Sequence, residues 1–226
     1  MPSQLRTPLP QAPLIYLITS GETSVQTTPA SEDFARVLRL TEAAVSAKID
    51  LLQIREKQLT GKTLYALATS AARITKGSKT KLLINDRADV ALTTGADGVH
   101  LTTSSMPSKN VRQAFGESLL IGASTHSLAE AVAARAGGAD FIVYGPIFET
   151  RSKEKFDAPV GLDSLARICS ELAPFPVLAL GGITLDRVAG CLLAGASGIA
   201  AISMLQDAAR LCELVGRIRA MAEPSA

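Results

Sequence analysis

The chain of 226 residues has no tryptophan, two histidines and three cysteines, and aromatic residues make up only 4% of it. Cys169, Cys191 and Cys212 are odd in number and far apart, with no CxxC or Cys/His spacing. That excludes a disulfide framework and a zinc site, and fits reduced, helix-borne packing residues of a cytosolic protein. No apolar run reaches the ~18 residues of a membrane span. The opening MPSQLRTPLPQAP lacks the apolar core of a secretory signal. A net charge of +2 provides no field for a nucleic acid or a membrane surface. The expectation is a cytoplasmic protein with no nucleic-acid or membrane partner. A homo-oligomer is left open.

Hydrophobic residues make up 47% of the chain, enough for a substantial core. Eight short apolar runs recur along it: Leu14–Thr19, Asp50–Arg55, Lys81–Ile84, Gly98–Leu101, Leu119–Ser124, Asp140–Tyr144, Val177–Leu180 and Gly198–Ser203. Each is continuous rather than alternating, as expected of parallel strands buried on both faces. The segments between them hold helices. SEDFARVLRLTEAAVSAK puts Phe34, Val37, Leu38, Thr41 and Val45 on one face behind a Ser31 N-cap. TGKTLYALATSAARITKG closes on Gly77, and SLAEAVAARAGGAD stops at Gly137-Gly138. The phrase helix end, Gly-Ala, small residue, strand recurs in TTGADGVH, AGGADFIV and LAGASGIA.

Eight strand–helix units in this length predict a single α/β domain, a (β/α)₈ TIM barrel of eight parallel strands spanning 14–222 behind a flexible tail at 1–13. The alternative is an open doubly wound sheet. No GxGxxG follows the first strand, so the barrel is favoured.

Barrel chemistry sits at the carboxyl ends of the strands. The second strand ends in QIREK, where Gln53, Arg55 and Lys57 alternate toward one side. Two cations and an amide there suit a phosphate or diphosphate; the competing reading is a solvated charge pair with Glu56. The third ends in INDR, where Asn85 and Asp86 could hold a ligand or Mg²⁺, or simply begin the next helix. The fifth ends in GASTHS. Ser124 and His126 stand at the mouth there, with His126 a proton shuttle, unless Ser127 or Thr125 is only a helix cap and His126 a bystander. His100 reads as a hydrogen-bonded structural residue. After the sixth strand, GPIFETRSKEKFDAPVG brings Thr150, Ser152 and Lys153 together. Gly181 and Gly182 after the seventh, with Ser203 after the eighth, suit phosphate held by backbone N–H groups.

In this order, QIREK, NDR, GVHL, IGASTHS, DFIVYGPIFETRSK, LALGGI and GIAAIS resemble the thiamine phosphate synthase/TenI superfamily, from about Tyr16 to Ser203. The resemblance implies that Gln53, Arg55, Lys57 and Asn85 would hold a pyrimidine diphosphate, with Ser124 near the pyrimidine and Asp86 as one Mg²⁺ ligand. Thr150, Ser152, Lys153, Gly182, Ile202 and Ser203 would hold a thiazole phosphate. One departure stands out. Where synthases carry a second acid after VHL, this chain has the hydroxyl run Thr102–Ser105, with Ser105 at the acid's position. A neutral hydroxyl is a poor Mg²⁺ ligand. With IGASTHSLAEA, the run is closer to the TenI-like branch. That implies a thiazole tautomerase with His126 as acid-base and no cofactor. The alternatives are a thiamine phosphate synthase using Mg²⁺, and a non-catalytic barrel that binds a phosphorylated ligand.

Overall fold

A computed structural model of the chain describes residues 13–150 and 158–221. Strands β1 (Leu14–Ile18), β2 (Leu51–Ile54), β3 (Lys81–Asn85), β4 (Gly98–Leu101), β5 (Leu120–Thr125), β6 (Phe141–Tyr144), β7 (Val177–Ala179) and β8 (Gly198–Ala201) alternate with eight helices. These are α1 (Glu32–Ser46), α2 (Gly61–Thr75), α3 (Ala88–Thr94), α4 (Ser108–Phe115), α5 (Leu128–Ala136), α6 (Gly161–Leu172), α7 (Leu185–Leu193) and α8 (Leu211–Ala220). Every strand pairs in parallel with its sequence neighbours, and β8 closes on β1 with Leu14 opposite Gly198. The expected barrel is the observed one.

The continuous apolar runs are explained by two cores. Leu14, Tyr16, Ile18, Leu51, Leu83, Phe141, Val143, Leu178 and Ala200 fill the inside of the barrel. Their sequence neighbours, such as Ile15, Leu17, Leu52, Ile54, Leu82 and Ile84, pack outward under the helices. Tyr16 and Phe141 meet edge to face inside, ring centroids 5.6 Å apart, a contact worth about 1 kcal/mol beyond its buried area.

Helix α1 departs in detail from the expected face. Phe34, Val37, Leu40, Thr41 and Ala44 are buried, whereas Leu38 and Val45 are only half-buried. The buried face is centred on Val37, Leu40, Thr41 and Ala44, which leaves Leu38 and Val45 at its edges. Ser31 has cap geometry, but its hydroxyl accepts from Thr28 N–H (2.9 Å) rather than from α1.

The recurring Gly-Ala phrase also has a structural meaning. Its last residue stands just before an even-numbered strand and ties down the odd one beside it. The carboxylate of Asp97 accepts from Leu82 N–H (2.9 Å), that of Asp140 from Ile121 N–H (2.7 Å), and the Ser197 hydroxyl from Val177 N–H (3.4 Å). Asp50 does the same for Ile15 N–H (2.9 Å). Four such stitches brace the amino-terminal rim of the barrel, leaving the opposite rim to the site.

Candidate active site

Following each strand's inward register past the core leads to one pocket. Beyond Tyr16 comes Ile18; beyond Leu51 come Gln53, Arg55 and Lys57; beyond Leu83 comes Asn85. His100 and Thr102 follow Gly98, Ser124 and His126 follow Gly122, and Gly145, Leu180 and Ile202 top β6, β7 and β8. All of these line the same cavity, with Thr103, Pro146, Thr150 and Gly181. The period-two alternation of a strand is what gathers residues from eight separate segments.

The cationic wall is held from below. Gln53 Nε2 donates to Asn85 Oδ1 (2.9 Å), and Gln53 Oε1 is a buried acceptor without a partner among the described residues. Arg55 N–H donates to the Thr19 hydroxyl (2.9 Å). Glu56 is not part of a solvated charge pair. It is 4% exposed and turns away from the pocket, accepting from Gly21 N–H (3.2 Å), Thr23 N–H (3.2 Å) and the Thr23 hydroxyl (2.7 Å). It fastens the loop after β1 to the end of β2. Sequence reasoning missed this role because those partners lie more than thirty residues away in the chain.

Asp86 follows β3 with φ 59°, a left-handed conformation that Asp tolerates better than most residues. Its carboxylate accepts from Asn85 Nδ2 (2.9 Å) and from the Ser105 hydroxyl. Asp86 and Ser105 therefore face each other at the rim. Ser105 in turn accepts from Thr102 N–H (2.6 Å), so the hydroxyl run forms an ordered turn.

Two histidines stand on the β4–β5 side. His126 is carried by the start of α5. The Ser127 hydroxyl caps Glu130 N–H (3.2 Å), while the Glu130 carboxylate accepts from His126 N–H (2.6 Å). Ser127 is thus a helix cap, yet His126 still lines the pocket. Its Nδ1 donates to the Gly145 carbonyl, which leaves Nε2 as the basic nitrogen of the neutral ring. His100 lies deeper, 2% exposed, its Nε2 2.9 Å from the Ser124 hydroxyl. Burial, aided by the Arg55 charge, pushes its pKa down to about 3, so its ring is neutral.

On the far wall the loops after β6 and β7 zip together. Ile147 N–H donates to Leu180 O (2.8 Å), and Phe148 N–H to Gly181 O (3.1 Å). Gly181, at φ 99°, permits this approach, since a Cβ there would lie 2.5 Å from Pro146 Cβ. Gly181 and Ile202 line the pocket. Gly182 sits one residue further out, its carbonyl accepting from Arg187 Nη1 (2.7 Å), and Ser203 starts a short 3₁₀ turn beside the pocket. Ser152 and Lys153 lie outside the described residues. Among those described, no group of three or more His, Cys, Asp or Glu gathers to hold a metal ion, and no helix is long and apolar enough to cross a membrane.

The family model for thiamine monophosphate synthase matches residues 16–205. A thiamine-phosphate synthase of Methanoculleus marisnigri is 40% identical over 164 residues, 73% of this chain and 77% of that protein. One of Chlorobium luteolum is 36% identical over 199 residues, 88% of each. The solved thiamine phosphate pyrophosphorylase of Pyrococcus furiosus superposes with a TM-score of 0.76 at 27% identity, covering 93% of this chain and 97% of that one. The closed barrel, the pocket at its carboxyl rim and these matches agree: the chain belongs to the thiamine monophosphate synthase family.

Proposed function

We propose that the chain is a thiamine-phosphate synthase, joining a hydroxymethylpyrimidine diphosphate to a thiazole phosphate. The observation that carries this reading is the wall formed by Gln53, Arg55, Lys57 and Asn85 beside the Asp86–Ser105 pair. An isomerisation of a monophosphate has no need of two cations and a carboxylate at the opposite end of the pocket from its phosphate. The relatives' names point the same way.

In this reading the bond between the pyrimidine methylene and the diphosphate breaks, and the diphosphate leaves with the electron pair. The thiazole ring nitrogen supplies the pair for the new C–N bond. Arg55 and Lys57 oppose the charge that builds on the leaving oxygens, with little acid-base work. Gln53, which lines the pocket and is tied to Asn85, belongs beside the pyrimidine diphosphate in this reading. The thiazole phosphate belongs on the opposite wall, with Thr150, Gly182, Ile202 and Ser203, and with Ser152 and Lys153.

The donor set fits Mg²⁺ as an ion that arrives with the diphosphate. Mg²⁺ is commonly held by one or two carboxylates plus substrate phosphates and water. Asp86 would supply the carboxylate and Ser105 a neutral oxygen. Bound there, the ion would add positive charge at the leaving group. The test is incubation of the protein with both substrates and Mg²⁺. Formation of thiamine phosphate that fails in Arg55→Ala supports the proposal, and its absence in the intact protein sinks it.

A second reading, the TenI-like tautomerase, is favoured by His126, whose Nδ1–H is fixed on Gly145 O and whose Nε2 is left as a base in the pocket. Metal-independent isomerisation of a thiazole carboxylate phosphate, lost in His126→Ala, would establish it.

A further inference from the structure

We propose that His100 is a positioning residue that fixes Ser124 as a hydrogen-bond donor, so that the pocket floor selects a ring presenting an acceptor atom. The identity of that ring as the pyrimidine rests on the synthase reading; the direction of the hydrogen bond does not. A neutral imidazole carries one N–H and one bare nitrogen. His100 Nδ1 is buried with no hydrogen-bond partner among the described residues. It packs against bare backbone: a Cβ on Gly122 would lie 2.7 Å from Nδ1 and 2.4 Å from Phe141 Cζ. On that side no side chain could be placed without a clash.

A buried N–H left without an acceptor is rarer and costlier than an unshared lone pair. The proton therefore belongs on Nε2, which lies 2.9 Å from Ser124 Oγ and donates to it. The Ser124 hydroxyl then has no acceptor on His100 for its own hydrogen. That hydrogen points into the cavity that both residues line. His126 has the opposite arrangement, with its proton on Nδ1. The chain's two histidines thus carry opposite tautomers within one pocket.

Two measurements on the full chain test this. The first is nitrogen-15 NMR of histidine-labelled protein at neutral pH, with a His126→Gln variant to assign the two rings. His100 is expected with Nε2 protonated and Nδ1 bare. A proton on Nδ1, or a doubly protonated ring, overturns the proposal, and this readout needs no substrate and no catalysis. The second is binding of hydroxymethylpyrimidine and of its benzene-ring counterpart to the intact protein and to Ser124→Ala. The intact protein is expected to prefer the pyrimidine by about tenfold, one charge-neutral hydrogen bond's worth, and Ser124→Ala to lose the preference. His100→Gln, which keeps a donor near the ε position, should retain it, whereas His100→Leu should not. Equal binding of the two rings to the intact protein overturns the selectivity. If neither ring binds, the synthase reading falls, and the tautomer still decides the direction of the hydrogen bond.

Discussion

Ser105 donates to the Asp86 carboxylate at a rim position where a second acid would double the negative charge available to a cation. On the proposed synthase reading, Ser105→Asp should therefore lower the Mg²⁺ concentration for half-maximal rate by about tenfold or more. Without Mg²⁺ the same variant sets two carboxylates against each other. A loss of about 1 kcal/mol would lower Tm by roughly 2–4 °C for a chain of this size. Initial rates across a Mg²⁺ titration, and melts with and without the ion, check both halves. A second prediction concerns His100. Its folded pKa is depressed to about 3, while an unfolded histidine titrates near 6.5. The depressed value makes the neutral ring a stabilising feature above about pH 6.5 that is lost as pH falls toward 3. The loss approaches about 1.4 kcal/mol per pH unit in that window. Urea melts between pH 7 and 4.5 should show this slope, and His100→Gln should flatten it.

The elements divide their labour between the two rims. On the amino-terminal rim Asp140 accepts from Ile121 N–H (2.7 Å) and pairs with Arg112 Nη2 (2.8 Å), both side chains largely buried. Asp140→Ala leaves a strand N–H without its acceptor and takes the nearer carboxylate from Arg112, which keeps Glu117 (3.9 Å) and the carbonyls of Gly116, Leu119 and Gly138. It should cost about 2 kcal/mol, hence about 4–8 °C in Tm, while leaving kcat/KM of the folded enzyme within about twofold because chemistry sits on the other rim. Thermal melts and steady-state rates measured on the same sample separate the two effects. Strand existence, order and the inward set Gln53, Arg55 and Lys57 were legible in the sequence, because continuous apolar runs and period-two alternation are local signals. The Gly-Ala repeat was visible as a pattern, but the identity of its last residue as a stitch needed the neighbouring strand. The competing reading of Glu56 as half of a solvated charge pair fails, and nothing near it in the chain reveals Gly21 and Thr23 as its partners. The face of α1 was misjudged toward Leu38 and Val45, because apolar spacing alone does not say which side of the stripe the barrel covers. His100 was rightly read as hydrogen-bonded. Its place in the pocket followed only from the ring of strands around it.

At the scale of the whole molecule, β1 and β8 close the ring, so among the described residues no strand offers an unpaired edge for another chain to extend. The same closure sets where the described ends of the chain emerge. Leu14 N–H donates to Ser197 O (2.8 Å) at the base of the barrel, and Arg219 Nη2, one residue from the end of α8, reaches Lys48 O (2.8 Å) beside Asp50 on that same base. Both ends leave from the rim opposite Arg55, Asn85 and Ser124. A bulky fluorescent domain fused at either end should thus leave kcat/KM within about twofold, as steady-state rates would report, whereas an equal insertion at Thr103 should abolish it. The closed ring gives the molecule a mounting face and a working face. Anchored to a surface by either end, every copy would present its pocket outward, and a layer of them would act as an oriented film rather than a random one.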